Sequence, residues 1–185
     1  MREEIRKELE LFGFGPSVLQ AALRQLPKKM WCYQPRSDRW SIHDIVIHLA
    51  DAEANAYIRC RGFIAEPGNA VPEFDSGRWR QSLGYFNQSV REALDIIIHL
   101  RKATHKLLCA LPDHTWENNV THPRLGTITL KRWMTIQERH IPHHIEHMRE
   151  NYNSWSKLHP ARKPATIATP YSSSESSAAI ALAIE

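Results

Sequence analysis

The segment QERHIPHHIEHMRE, residues 137–150, carries four histidines within eight positions: His140, His143, His144 and His147. Neutral imidazole is a common metal ligand. On a helix, side chains at i and i+4 stack on one face about 6 Å apart, so His140/His144 and His143/His147 each have the spacing to reach one ion. Hydrophobic patterning separates the two pairs. At about 100° per residue, Leu130, Trp133, Met134, Ile141, Ile145 and Met148 fall on one arc. Arg132, Arg139, Glu146 and Glu150 flank it on one side, and Lys131, Glu138 and Arg149 on the other. His140 and His144 lie inside the charge-free arc. His143 lies among the arginines and glutamates and His147 at the margin, so both are expected to face water. Ile136 falls outside the arc. Pro142 lacks an N–H and presses on the carbonyl of Glu138, which predicts a kink or bulge beside the inward pair.

Two imidazoles need a third protein ligand to make a metal centre, and WSIHDIVIHLADAE, residues 40–53, offers one. On its own wheel His48 sits at the edge of the apolar arc formed by Ile42, Ile45, Val46, Leu49, Ala52 and Ala56, whereas His43 points elsewhere. Asp44 and Asp51, at i−4 and i+3, are candidates to accept the second N–H of His48, the usual partner of a metal-bound imidazole. Glu53 falls within the apolar arc. A buried carboxylate needs a partner or a raised pKa, so Glu53 is a further candidate for an outer-shell or acid–base role.

The elements that must position these residues read as helices. A first helix is expected over residues 2–26, with a bend at Gly13–Pro16. After a loop with two prolines, Ser41 has the character of an N-cap with Asp44 three residues on, an imperfect capping box. The second helix then runs to about Arg61. The breaker-rich EPGNAVPEFDSG leads to a third helix over 79–110 that stops at Leu111-Pro112. LPDHTWENNVTHPRLGT is a second long connection, and the fourth helix runs from Thr127–Thr129 to about Tyr152. Period-2 alternation is nowhere sustained, so no strand is predicted. The expected fold class is all-α: an up-down four-helix bundle with long connections over residues 1–155. Residues 156–185, rich in Pro, Ser and Ala, are expected to form a flexible tail.

Composition narrows the function. Of 185 residues, 24 are basic and 20 acidic, a net +4 without any long Lys/Arg block, so nucleic acid is not an expected partner. No run approaches the ~20 apolar residues of a membrane span, so no membrane association is expected. MREEIRKELELFGFG lacks the apolar stretch of a signal peptide, and the expected setting is cytoplasmic. Cys32, Cys60 and Cys109 form no CxxC, which argues against a disulfide framework. Cys60 and Cys109 fall on apolar stripes and read as small core residues. His99, His105, His114 and His122 show no pairing and carry no expected role. Trp40, Trp116 and Trp133 read as core and loop anchors.

RWSIHDIVIHLADAE (39–53) and HPRLGTITLKRWMTIQERHIPHHIEHM (122–148) together resemble the DinB-like (DinB/YfiT) family of bacterial metal-binding four-helix bundles. The first resembles the family's Trp-Ser…His-Leu-x-Asp-x-Glu helix, the second its His-Pro…Gly…Thr-Leu…His-x-x-x-His segment. The likeness spans about residues 1–155, with Pro142, His143 and His147 as departures. It implies that a divalent metal is bound by His48, His140 and His144, the set the wheels select. Three ligands leave coordination positions open, the pattern of a catalytic site. A His₃ set does not discriminate sharply among metals: Zn²⁺ is the first expectation, followed by Ni²⁺, Fe²⁺ and Mn²⁺. The resemblance implies an enzyme acting on a small-molecule substrate. The leading expectation is a thiol S-transferase using a low-molecular-weight thiol of the bacillithiol or mycothiol type, in detoxification or stress. A metal-dependent hydrolase and a non-catalytic metal-binding or interaction module are the alternatives. Homodimerisation is an expectation of the resemblance alone.

Overall fold

The computed structural model describes residues 3–160. Four long helices, α1 (Glu3–Gln25), α2 (Ile42–Ala65), α4 (Val90–Cys109) and α5 (Leu130–Leu158), form a four-helix bundle, with a short α3 (Ser76–Ser82) in the second connection. The extensive pairings are α2 with α4, α1 with α5, α1 with α4 and α2 with α5. Around the bundle the order is therefore α1, α4, α2, α5. Chain neighbours α1 and α2 lie across one diagonal, α4 and α5 across the other, and the long connections make these crossings. Of the flexible tail expected over 156–185, residues 161–185 lie outside the described residues. Before them, α5 continues to Leu158, beyond the expected end near Tyr152.

Local chemistry explains the helix ends. Ser41 Oγ accepts from the Asp44 N–H, and Asp44 Oδ2 accepts from the Ser41 N–H, so Asp completes the box that usually uses Glu. The side chains of Asp75, Ser89 and Thr129 cap α3, α4 and α5 by accepting from the N–H three residues on, without the reciprocal bond. Helix α1 is assigned without a break across Gly13–Pro16. Instead of bending the chain, the two glycines admit neighbours: a Cβ on Gly13 would lie 3.0 Å from His105 Nε2, and one on Gly15 would lie 3.1 Å from both Arg101 Nη1 and Ile141 Cδ1. Pro16 has no N–H for the Phe12 carbonyl. Arg101 Nη1 of α4 donates to that carbonyl at 3.0 Å in its place.

Two expectations are corrected. The helix expected over 79–110 is broken. Gly84 adopts φ +57°, Tyr85–Asn87 form a 3-10 turn, Gln88 is extended, and Ser89 starts a new helix. The break sinks Tyr85 into the core, where its hydroxyl donates to Asp51 Oδ2 at 2.6 Å. A strand pair also exists where none was expected. β1 (Asn119–His122) pairs antiparallel with β2 (Gly126–Thr129), with Val120 opposite Ile128 and His122 opposite Gly126. Four residues per strand are too few for alternation to stand out in the sequence. The segment before α3 adds to the edge of this hairpin through Gly68 N–H to Asn119 O, Val71 N–H to Thr121 O and Thr121 N–H to Asn69 O. The hairpin runs directly into the Thr129 cap, and Pro123 and Arg124 of its turn share a wall with Gln137 and His140 of α5.

The apolar interior forms two clusters. One gathers residues 42–50 of α2 and 141–155 of α5, and the other gathers 56–63 of α2 and 130–134 of α5. Between them lies a buried polar layer that includes Glu53, Arg101 and His140. Within it Arg101 ties three helices: Nε and Nη2 donate to the Glu53 carboxylate at 2.6–3.0 Å, and its guanidinium lies 3.8 Å from the centre of the Phe12 ring.

Candidate metal centre

His48, His140 and His144 converge at this layer. All three are buried, and their ligand nitrogens lie within 4.8 Å of one another. His140 Nε2 is 3.4 Å from His48 Nε2 and 3.0 Å from His144 Nε2. A neutral imidazole nitrogen either carries one proton or offers one lone pair. His140 Nε2 therefore cannot make a full hydrogen bond to both neighbours, whichever tautomers are chosen. A cation accepting three lone pairs resolves the conflict. Tetrahedral ligands at about 2.0–2.1 Å stand roughly 3.3 Å apart, close to the two observed separations. Burial pushes the His48 pKa down to about 3. Burial first, then neighbouring positive charge including that of the other histidines, drives His140 and His144 well below the usual imidazole value. The free protein thus presents three uncharged imidazoles with lone pairs available.

The surroundings differ from the expectations at several points. Neither Asp44 nor Asp51 accepts from His48, whose Nδ1 has no protein partner; the same is true of His144 Nδ1. Asp44 is committed to Ser41 and to Arg80 at 3.0 Å, and Asp51 to Tyr85. Aromatic rings orient His48 instead: Trp40 meets it edge-on at 4.9 Å and Phe74 stacks at 5.9 Å. Glu53 is not part of the triad but is the buried counter-ion of Arg101. Glu138, expected on a charged flank, is buried, as is the wheel's outlier Ile136. Helix α5 is assigned continuously through Pro142. His143 and His147 are half-buried, and their rings meet at a tilt with centroids 4.6 Å apart, outside the triad. Cys60 is buried, its thiol pushed up to about 12 by desolvation, but Cys109 is exposed and does not join the core. It is the last residue of α4, one position past the fully buried Leu108. Trp116 and Trp133 are core residues as expected.

Two cavities flank the triad. His48 and His144 open onto one of about 400 Å³, walled by Trp40, Ile45, His147 and Asn151 with Arg39 and Arg124. His140 borders a much smaller one, about 20 Å³, lined by Arg59, Phe74, His122, Arg124 and Gln137 among others. Arg124 borders both. The hairpin supplies His122 and Arg124 and the segment before α3 supplies Phe74, so these connections build the site rather than merely span the bundle. Sequence reading missed His122 and Arg59. His122 has no i+4 partner, and Arg59 looks like an ordinary polar residue on the edge of α2. The Pro123 after His122 and the Gly126 turn were the local signal that this histidine is held rigidly.

The sequence model described as the DinB superfamily matches residues 12–148, which cover the hairpin, all three histidines and most of the bundle. The chain belongs to the DinB superfamily. A relative from Oceanobacillus iheyensis, named "Putative metal-dependent hydrolase", is 29% identical over 133 residues, 72% of this chain and 77% of its own. YfiT of Bacillus subtilis, which carries the same descriptive name, is 26% identical over 155 residues, 80% of this chain and 87% of its own. The solved structure described as YfiT from Bacillus subtilis, a "probable metal-dependent hydrolase with an unusual four-helix bundle topology", superposes with a TM-score of 0.77 at 23% identity. That superposition covers 84% of this chain and 90% of that one and establishes the shared fold. Among the described residues of this DinB-superfamily chain, no helix is long and apolar enough to cross a membrane.

Proposed function

We propose that this chain is a metal-dependent enzyme whose His48, His140 and His144 hold one divalent cation, Zn²⁺ or Ni²⁺ first, with substrate entering from the 400 Å³ cavity. The observation that carries this reading is the convergence of three buried, neutral imidazole nitrogens whose mutual contacts cannot all be hydrogen bonds. A divalent cation in such a set supplies Lewis-acid chemistry, lowering the pKa of a coordinated water or thiol toward neutrality. The protein leaves the cation's double charge uncompensated, so an anionic ligand is favoured. Trp40 and Phe74 exclude water from one side of His48, and His147 and Asn151 offer polar contacts on the cavity wall.

With water as nucleophile the reaction is hydrolysis, which the names of the relatives support. With a low-molecular-weight thiol it is S-transfer, and a specific feature of the cavities favours this second reading. The lining carboxylates are Asp38 and Glu73, both largely exposed and each beside an arginine, Arg36 and Arg124 respectively. Neither is placed as a buried general base for activating water, whereas a thiol loses its proton more readily.

Both readings are tested by loading purified protein with Zn²⁺ or Ni²⁺. Turnover is then measured on a panel of esters, amides and phosphoesters, and on electrophiles paired with low-molecular-weight thiols. The expected outcome is turnover that His140→Ala abolishes. Metal binding without turnover on either panel above that variant would overturn the enzymatic reading in favour of a binding module.

A further inference from the structure

The small cavity beside His140 is lined by a buried arginine that has one nitrogen without a partner. Arg59 is 8% exposed. Its Nη2 donates to the Pro72 carbonyl at 2.7 Å, but its Nε is buried with no partner. Its Nη1 lies 3.4 Å from His122 Nε2. The backbone N–H of Arg124 donates to His122 Nδ1 at 3.2 Å, which fixes the tautomer: a neutral His122 carries its proton on Nε2. Arg59 Nη1 and His122 Nε2 are then two donors facing each other. Arg124 adds a second guanidinium to the same wall. The carboxylate among the lining residues, Glu73, is largely exposed and lies 3.5 Å from Arg124. Burial, followed by the charges of Arg59 and Arg124, depresses His122 to about 4, so it adds a neutral donor and not a third charge.

An unpartnered buried guanidinium nitrogen is costly, and arginine in such a position is suited to a planar carboxylate. The geometry points to an anion subsite formed by Arg59, His122 and Arg124 that takes the carboxylate end of the substrate. A carboxylate's two oxygens can accept from Arg59 and from His122 Nε2–H together, replacing the donor-to-donor contact. The cavity of about 20 Å³ admits a group of one or two water-sized centres, which favours carboxylate over a bulkier tetrahedral anion. His140 borders the same cavity, so an anchored carboxylate leaves the rest of the molecule beside the triad. That orientation rests on the metal-centre reading above, whereas the anion subsite stands on its own donors.

The test is titration of the ¹⁵N-labelled protein with acetate at constant ionic strength, following the arginine Nε–H signals. The Arg59 signal is assigned by its loss in Arg59→Lys. Saturable movement of that signal is expected in the wild type, with and without Zn²⁺, and in His48→Ala, which does not line the cavity. Affinity for acetate should fall at least tenfold in His122→Phe, read at the Arg59 signal, and in Arg59→Lys, read at the Arg124 signal, while inorganic phosphate should compete weakly. Absence of saturable movement in the folded wild type would overturn the proposal without need of any variant. So would acetate binding that requires Zn²⁺ and is unchanged in Arg59→Lys. Failure of the wild type to hold Zn²⁺ while its acetate response is intact would instead count against the metal centre and leave the subsite standing.

Discussion

The Arg101–Glu53 pair should dominate the response of this fold to single substitutions. Arg101 is 1% and Glu53 3% exposed. The guanidinium makes three contacts of 2.6–3.0 Å to the carboxylate and a fourth bond of 3.0 Å to Phe12 O, the carbonyl that Pro16 leaves without a helical donor. Arg101→Met strands a buried carboxylate, at about 3–5 kcal/mol, and orphans the Phe12 carbonyl, at about 1–3 kcal/mol. Glu53→Leu strands the guanidinium, at about 3–5 kcal/mol. The double variant removes both charges and keeps only the carbonyl's loss, so its destabilisation should fall short of the sum of the singles by at least ~3 kcal/mol. The assay is urea denaturation at neutral pH, with the transition midpoint compared at unchanged slope. Additive losses, or single losses under ~1 kcal/mol, would refute the reasoning and return Glu53 to candidacy for a role in the site's chemistry.

Three other outcomes follow from the same structure. Of the three cysteines, Cys32 and Cys109 are exposed and Cys60 is buried, so a thiol reagent should titrate two groups rapidly in the native protein and the third only on unfolding. Gly15→Ala pushes a methyl to 3.1 Å from Arg101 and Ile141 and should cost about 1–3 kcal/mol, whereas Gly62→Ala in α2, with nothing within 4 Å, should gain about 0.4–1 kcal/mol in thermal or urea unfolding. His122 has a folded pKa depressed to about 4, so below its ordinary value near 6.5 the unfolded chain binds a proton that the folded chain does not. Its contribution is fully present above pH 6.5 and is lost as pH falls toward 4; His122→Gln should lose less stability than the wild type between pH 7 and 4.5.

Much of the site was legible because the decisive information is periodic. A charge-free arc on one helix and an apolar edge on another place His140, His144 and His48 indoors, and four amphipathic runs give the bundle. What was hidden depends on short-range or non-periodic features. Gly84 breaks a helix whose hydrophobic stripe reads straight through it. The β1–β2 hairpin is too short to alternate visibly. Glu53 announces itself as buried, but its partner is 48 residues away on α4 and no local pattern names Arg101. Asp44 and Asp51 have helical spacing toward His48, yet Arg80 and Tyr85, brought in by the unforeseen break around Gly84, claim them first.

The central claim, that His48, His140 and His144 form one metal centre and that His143 and His147 stand outside it, is tested most directly by metal stoichiometry. Elemental analysis after equilibration with excess divalent metal and removal of the unbound ion should give one tightly held ion per wild-type chain. It should fall to near zero in His48→Ala, His140→Ala and His144→Ala, each verified as folded by circular dichroism. It should remain one in the His143→Ala/His147→Ala double variant. Retention of the ion in any folded triad variant, or its loss in the double variant, would contradict the account.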